Sequence, residues 1–297
     1  MRNHATILLS AITMGAGFSS GSVHSQPLLP DFGAATFEPG TQIDNPYFPL
    51  DYEGTRVFEG ETEENGETAT ERFELTVTGP GRKILGVQTT AQRDRSFEDG
   101  LLVEDTFDYF AQDTGGTVWY FGEDVTNYEY DEEGNLIGTN DESAWIAGEN
   151  LANSGGEPAQ PGWIMPALPT ALTDGLTYFQ EFAPDDEAVD VGEHILPLTE
   201  ISVEAGEFSD VLRVLDTSPL EPDARDLKYY APGIGLVAED EGVNLDLEEP
   251  ELRFELVSST EEPVSVPEPE TLTLMATGLI GLFAAHRRRR SSEGKSI

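Results

Sequence analysis

Alternating apolar and polar residues, repeated between regularly spaced turn signals, restrict this chain to a narrow range of folds. Phe73, Leu75 and Val77 alternate with charged or hydroxyl residues, and the same period of two recurs at Val243–Leu247 and Leu252–Leu256. A period of two is typical of a β-strand with one buried face and one solvated face. The pattern therefore predicts an all-β protein with an amphipathic antiparallel sheet.

Turn signals divide the first half of the chain into long segments. They are Asn65-Gly66, Gly79-Pro80-Gly81, Asp99-Gly100, Gly115-Gly116 and Asp131–Gly134. Their spacing leaves strands of roughly ten residues, which is longer than the usual five or six. Strands of this length favour a strongly curved antiparallel sheet, either a half-barrel or a sandwich, that wraps around its own apolar face.

The middle of the chain does not follow this pattern. Residues 143–184 are rich in Gly, Pro and aromatic residues and lack a regular period, so we predict a long ordered loop packed on the sheet. Asp185–Val191 is predicted as one short helix, because its early acidic residues suit the helix dipole. A second group of strands is expected over 195–258.

The two ends of the chain are typical of an exported protein. Arg2 and His4 precede a mostly apolar stretch that ends near Ser25, as in a secretory signal peptide. Tyr47 and Phe48 lie between prolines and are expected to plug the edge of the core. The predicted organisation is a signal peptide at 1–25, an N-terminal extended segment at 26–50, a β-rich secreted domain at 51–258, a Pro/Glu linker at 259–270, a transmembrane segment with an Arg cluster at 271–290, and a tail at 291–297.

A proline-rich box, a short apolar run and a basic cluster follow one another at the C-terminus. Proline lacks a backbone N–H, so the box Val266–Pro269 is expected to be extended and accessible. The apolar run Thr271–Ala285 is shorter than the roughly 20 residues of a comfortable membrane span. Arginines are retained on the cytoplasmic side, so Arg287–Arg290 would leave the preceding domain outside.

In order and spacing, this segment resembles the PEP-CTERM sorting signal of Gram-negative bacteria. The resemblance implies an exosortase and the export machinery as partners, transient insertion into the inner membrane, and a final location at the cell surface or outside the cell. It also implies a link to exopolysaccharide or biofilm. The alternative is an ordinary C-terminal anchor. The residues that would carry sorting and processing are Val266, Pro267, Glu268, Pro269, Arg287, Arg288, Arg289 and Arg290.

The charge balance excludes some partners and favours others. The formal net charge is −41 over 297 residues. Such a surface repels nucleic acid, which is bound through Lys and Arg, and it favours solubility and cation binding. The chain has no cysteine, so disulfides and thiolate–zinc sites are excluded. No cofactor is predicted except Ca²⁺, for which Asp185, Asp186 and Asp190 offer carboxylate oxygens.

Several catalytic patterns occur in contexts that argue against them. Gly233–Ala238 has the letters of a dinucleotide-binding turn, but no βαβ unit surrounds it. Asp113-Thr114-Gly115 and Asp216-Thr217-Ser218 are similar to aspartic-protease loops, but the second lacks its glycine. His194 has no Gly-x-Ser-x-Gly nucleophile to act on and is interpreted as structural. No catalytic residue is therefore assigned.

Carbohydrate is the ligand class that the aromatic residues suit best. Glycoside hydrolysis would need two carboxylates near such residues. The sequence therefore favours a non-enzymatic surface or matrix protein that binds polysaccharide, cations or a hydrophobic ligand, and it leaves an extracellular glycosidase-like hydrolase as the alternative. The candidate ligand-binding residues are Trp119, Tyr120, Glu123, Trp145 and Trp163.

Packing around an acidic group distinguishes these two functions. Converging carboxylates in a cleft would favour the hydrolase, whereas a filled interior or an apolar groove would favour the binding protein. The residues to compare are Glu104, Asp108, Trp119, Glu123 and Lys228. The passages Asn45–Leu50, Gln112–Glu123 and Lys228–Val237 resemble uncharacterised secreted bacterial β-domains, a resemblance that implies no activity.

Overall fold

The computed structural model describes residues 26–51, 54–64, 67–131, 133–152 and 154–260. The predicted signal peptide, the PEP-CTERM segment and the tail lie outside these residues. None of the described segments forms a helix that is long and apolar enough to cross a membrane.

The described chain is all-β, as predicted. Its helical residues form three short 3₁₀ turns, at Phe32–Ala34, Thr170–Leu172 and Pro184–Asp186. The strands are β1 (Asp44–Asn45), β2 (Phe48–Pro49), β3 (Thr55–Glu64), β4 (Glu67–Ile84), β5 (Val87–Glu98), β6 (Leu101–Gln112), β7 (Val118–Tyr130), β8 (Leu136–Asn140), β9 (Trp145–Ile146), β10 (Gln160–Met165), β11 (Thr177–Ala183), β12 (Ala188–Val203), β13 (Gly206–Thr217), β14 (Arg225–Ala231), β15 (Gly235–Glu241) and β16 (Leu252–Thr260).

Twelve of these strands form a closed antiparallel barrel. Strands β10 to β16 pair in chain order, β16 pairs with β3, and β3 to β7 follow in order. The sheet closes where β7 pairs with β10, with Tyr120 opposite Gly162 and Trp119 opposite Trp163. Strands β8 and β9 are additional strands on β7. The predicted curvature is therefore carried to full closure, beyond a half-barrel or a sandwich.

The strands that close the barrel lie in the segment predicted as a loop. That prediction was wrong for Gln160–Met165 and Thr177–Ala183, which pair with each other and with β7 and β12. Pro161 and Gly162 interrupt the side-chain period of β10. Backbone pairing defines these strands, so the periodicity did not indicate them.

Two predicted turn or helix signals have different roles. Gly79-Pro80-Gly81 lies within β4, where the register with β5 shifts, and the hairpin turns instead at Leu85-Gly86. An irregularity in one strand accommodates the extra residues without ending the pairing. The predicted helix Asp185–Val191 is also wrong: Glu187 has φ 60°, which ends the 3₁₀ turn, and Ala188 begins β12.

One predicted strand in the second half is a loop. Val243–Leu247 joins β15 to β16, and its apolar residues have unequal environments. Val243 is 3% exposed and Leu245 is 83% exposed. Leu252, Phe254 and Leu256 lie in β16 and are buried, as their alternation indicates.

The N-terminal segment closes one end of the barrel. The ring of Phe48 lies 5.0 Å from that of Phe110 on β6 and 6.3 Å from that of Tyr230 on β14. The Gln112 Oε1 atom accepts hydrogen bonds from the backbone N–H groups of Asp44 and Asn45, at 3.0 and 2.9 Å. Residues 44–50 therefore form a plug between strands on different sides of the barrel.

Candidate functional site

Strand register places a set of charged residues on the interior face of the barrel. Residues paired across antiparallel strands project to the same face, so Asp108 lies beside Glu123 and Lys228 lies beside Glu239. Alternation along the strands assigns further residues to this face. We call the whole set the acidic lumen: Asp94, Glu104, Asp108, Glu123, Glu181, Asp190, Asp216, Lys228 and Glu239.

A cavity of about 240 Å³ lies at the end of the lumen away from the plug. Asp94 and Glu104 line it from β5 and β6, and Lys228 and Glu239 line it from β14 and β15. Three strands separate β15 from β5 in the sheet. The cavity therefore spans the lumen instead of lying between neighbouring strands.

Lys228 is held between two carboxylates of the acidic lumen. Its Nζ atom lies 2.9 Å from Asp216 Oδ2 and 3.6 Å from Glu239 Oε1. Burial by itself would lower the pKa of Lys228, but the charges of Asp216 and Glu239 outweigh burial and raise this pKa well above its ordinary value. Lys228 therefore remains charged and holds strands β13, β14 and β15 together.

A shared hydroxyl joins two further carboxyl groups. Tyr120 Oη lies 2.5 Å from Asp108 Oδ1 and 3.1 Å from Glu123 Oε2. The hydroxyl has a single proton, so both contacts are satisfied together only when one carboxyl is protonated. Burial raises the pKa of Asp108 to about 7. Burial, with the charges of Glu181 and Asp108, raises the pKa of Glu123 well above its ordinary value.

The carboxyl groups on β11 and β12 continue this cluster. Glu181 and Asp190 are paired across the two strands. Burial, followed by the charge of Asp190, raises the pKa of Glu181 well above its ordinary value. Burial, followed by the charge of Asp216, raises the pKa of Asp190 to about 6. Close carboxylates disfavour each other's ionisation, so this region keeps protons at mildly acidic pH.

The five candidate ligand-binding residues separate into two groups. Tyr120, Glu123 and Trp145 lie together, with Trp145 fully buried and its ring 5.3 Å from that of Tyr120. Trp119 is 2% exposed, and its Nε1 atom donates to Asp113 Oδ2 at 2.9 Å. The ring of Trp163 packs edge-on against Trp119 at 6.0 Å. Neither Trp119 nor Trp145 is available as an exposed sugar platform.

The three candidate calcium ligands do not converge. Asp185 Oδ2 accepts a hydrogen bond from Asn150 Nδ2 at 2.9 Å, and Asp186 Oδ1 accepts one from the Ala152 N–H at 2.7 Å. Both therefore fasten the loop before β10, whereas Asp190 belongs to the acidic lumen. Within the described residues, no three or more His, Asp or Glu side chains are arranged to hold a metal ion.

The residues of the rejected catalytic patterns have structural partners. His194 is fully buried, with Nδ1 2.6 Å from Ala171 O and Nε2 2.8 Å from Tyr178 Oη. Asp113 Oδ1 accepts hydrogen bonds from the Gly115 and Thr117 N–H groups and so stabilises the β6–β7 turn. Asp216 binds Lys228. Asp113 and Asp216 therefore do not share a partner as a protease pair would.

Sequence reasoning singled out only part of the acidic lumen. Glu104, Asp108, Glu123 and Lys228 were recognised as residues whose packing would be informative, and the structure brings them into one interior cluster. Their partners were missed, because a charged face on an alternating strand was interpreted as solvated. The residues whose place in this cluster was not predicted are Asp94, Glu181, Asp216 and Glu239.

Comparison with known proteins identifies one sequence signal. Residues 265–289 match the model of the PEP-CTERM protein-sorting motif. The chain therefore carries the signal of an exported protein that is processed by an exosortase. No curated protein is significantly similar to the chain in sequence.

Three solved structures match the chain at low sequence identity and low TM-score. An exported protein with a YmcC-like fold from Bacteroides fragilis is 12% identical, with 72% of this chain and 98% of that chain covered and a TM-score of 0.36. A lipoprotein from Parabacteroides distasonis is 11% identical, with coverages of 73% and 99% and a TM-score of 0.36. A DUF1329 family protein from Desulfovibrio piger is 10% identical, with coverages of 67% and 69% and a TM-score of 0.23.

Proposed function

We propose that this protein is a non-catalytic component of the cell surface or extracellular matrix that is delivered by exosortase processing and associates with exopolysaccharide. The observation that carries the proposal is the PEP-CTERM protein-sorting motif at residues 265–289. In this proposal the apolar segment holds the protein in the inner membrane until the box Val266–Pro269 is processed.

The architecture of the barrel supports a role that does not depend on catalysis. The plug at residues 44–50 closes one end of the lumen, and the cavity at the other end measures about 240 Å³. Ligand pockets usually measure roughly 300–1,000 Å³. A polysaccharide chain would therefore contact the outer surface of the barrel instead of entering it.

The delivery step can be tested with a variant of the sorting box. Pro267→Ala, Glu268→Ala and Pro269→Ala are combined in the native host, with Pro263→Ala as the matched control in the linker. We expect the wild type and the control to lose the tail and leave the inner membrane, and the triple variant to keep its full mass in that membrane. Mass spectrometry of fractionated cells provides the measurement. Processing of the triple variant at the wild-type rate would contradict this part of the proposal.

The association with exopolysaccharide requires a separate experiment. The gene is deleted, and the strain is complemented with either the wild type or the triple box variant. We expect the deletion and the variant to retain less polymer in the biofilm matrix, and the wild type to restore it. Equal polymer retention in all strains would remove exopolysaccharide from the proposal and leave the delivery step unaffected.

A glycosidase-like hydrolase is the second candidate, because Asp108 and Glu123 approach the same hydroxyl and both have a raised pKa. Paired carboxyl groups with shifted pKa values are typical of acid–base catalysis. The test compares hydrolysis of the host's matrix polysaccharide by the wild type, Asp108→Asn and Glu123→Gln. Hydrolysis by the wild type that both substitutions abolish would replace the non-catalytic proposal.

A further inference from the structure

We propose that the cavity at the acidic end of the lumen is a binding site for a short aliphatic diamine. This inference is independent of the sorting signal and goes beyond the proposed function. It depends on the charges around the cavity, on buried acceptor atoms that lack donors, and on the way the lumen already holds a primary amine.

The charge of the cavity wall is not balanced by the cations that line it. Lys228 is committed to Asp216 at 2.9 Å, and Arg72 is paired with the buried Glu74. Asp94 and Glu104 face the same cavity from the opposite side. Burial, followed by the charges of Asp108 and Glu104, raises the pKa of Asp94 well above its ordinary value. A dication is therefore the charge type that would stabilise the ionised form of Asp94 beside Glu104.

Two carboxylate oxygens near the cavity lack a hydrogen-bond donor among the described residues. Asp94 lines the cavity, and its Oδ1 atom is buried without a partner. Asp216 is 8% exposed, and it binds Lys228 through Oδ2 while its Oδ1 atom also lacks a partner. Buried acceptors are normally satisfied, so such atoms require an explanation. A ligand that carries N–H donors would supply the missing partner to Asp94.

Lys228 shows how this lumen binds a primary ammonium group. Its Nζ atom lies between Asp216 on β13 and Glu239 on β15, the two strands that flank β14. The cavity is also lined by three largely buried aromatic residues, Phe73, Phe97 and Phe254. Aromatic faces attract ammonium groups and pack against methylene groups. Carboxylates combined with aromatic rings are therefore suited to a flexible chain with a charged amine at each end.

The dispersed acceptors suit an amine better than a metal ion. Calcium needs about six to eight oxygen ligands that converge at roughly 2.3–2.6 Å. The described residues contain no such convergent group. An ammonium group instead makes directional hydrogen bonds to two or three separate acceptors, and a diamine can reach both sides of the cavity.

Calorimetric titration of the full-length protein in detergent with 1,4-diaminobutane tests this site. Asp94→Asn and Glu104→Gln each remove one charged acceptor from the cavity wall, and Glu207→Gln removes the same charge from an exposed position. We expect each cavity variant to bind about tenfold more weakly or worse, the loss that one charge-assisted hydrogen bond carries. We expect the Glu207→Gln control to bind like the wild type.

Two further ligands separate recognition from charge screening. 1,4-Butanediol has the same length without charge, and Ca²⁺ has the same charge without N–H donors. We expect neither to compete with the diamine at equal concentration. Three results would each overturn the proposal: no binding of the diamine to the wild type, wild-type affinity in both Asp94→Asn and Glu104→Gln, or competition by Ca²⁺ at equal concentration. Thermal unfolding of every variant checks that it is folded. If one of the two cavity variants does not fold, the affinity of the other one for the diamine tests the proposal.

Discussion

At the scale of single residues, the surroundings of His194 fix its protonation state. The carbonyl of Ala171 can only accept a hydrogen bond, so Nδ1 of His194 donates to it. Nε2 must then accept the proton of the Tyr178 hydroxyl at 2.8 Å. Burial lowers the pKa of His194 to about 4, so the ring is neutral at physiological pH. Through these two hydrogen bonds the neutral His194 side chain on β12 links β11 to the 3₁₀ turn at Thr170–Leu172.

Tyr178→Phe is expected to destabilise the fold by about 1–3 kcal/mol, because it leaves the buried Nε2 atom without a donor. Denaturant unfolding measures the loss, and the ¹⁵N chemical shift of the imidazole reports the change at His194. Tyr128→Phe, at a half-buried position on β7, is the matched control and should unfold like the wild type. Equal stability of Tyr178→Phe and the control would show that this hydrogen bond is unimportant.

The environment of His194 was predicted more accurately from its residue type than the environment of Glu74. A lone histidine without a nucleophile is usually structural, and His194 has structural partners. Glu74 alternates with Phe73 and Leu75, which predicted a solvated carboxylate, yet it is fully buried between Arg72 and Arg95. Arg72 lies two residues away on the same strand, but Arg95 comes from β5, and an ion pair between two strands leaves no local signal in the sequence.

At the scale of strands, alternation identifies two faces without showing which one is inside. On β14, Leu227 lies on the outer face and is covered by Val243 of the loop between β15 and β16. Lys228, on the opposite face, lines the cavity. A loop that covers an apolar outer face therefore lets a polar face turn inward. The order of most strands could be predicted from turns and alternation, but this inversion depends on contacts between distant segments.

Closure of the barrel depends on the absence of a side chain at Gly162. A Cβ atom there would lie 2.2 Å from Gln180 O and 2.5 Å from Phe179 O on β11. These contacts are with backbone atoms, which cannot move without disturbing the strand pairing. Glycine in a strand often marks such a close approach of another backbone, and the sequence alone does not show which glycine has this role.

Gly162→Ala is expected to destabilise the protein by about 3 kcal/mol, at the upper end of the usual cost of overpacking. Gly138→Ala on β8 is the matched control, because a Cβ atom there would lie 3.7 Å from the nearest atom, the Glu129 Oε2. Hydrogen exchange should be faster in β7, β10 and β11 of the variant and unchanged in the control. Equal protection of these strands in both variants would contradict a role for Gly162 in closure.

At the scale of the whole molecule, the acidic lumen links stability to pH. Burial raises the pKa of Asp108 from 3.8 to about 7 and that of Asp190 from 3.8 to about 6. Burial also raises the pKa values of Glu123 and Glu181 well above 4.5. Between about pH 4 and 7 the folded state therefore holds protons that the unfolded chain has released, and stability falls as the pH rises through this range.

His194 acts in the opposite direction. Its pKa falls from 6.5 to about 4 on folding, so the unfolded chain binds the extra proton and this residue adds stability as the pH rises between these values. The effect of this one histidine on stability is opposed by that of several carboxyl groups, and the pKa values of those carboxyl groups extend to higher pH. The barrel is therefore expected to be most stable in mildly acidic solution.

Thermal unfolding from pH 4.5 to 8 should show a Tm that decreases as the pH rises, because the interior carboxyl groups have higher pKa values in the folded state than in the unfolded chain. The double variant Asp108→Asn with Glu123→Gln cannot ionise at these positions, so its Tm should depend less on pH and exceed that of the wild type at pH 8. Glu207→Gln, at an exposed position, should retain the wild-type slope. A wild-type Tm that rises steadily to pH 8, or a double variant with the wild-type slope, would mean that the interior carboxyl groups ionise without cost. Neutralising Asp108 and Glu123, which are not paired with a cation among the described residues, should therefore stabilise this protein at neutral pH, whereas removing the charge of the exposed Glu207 should not.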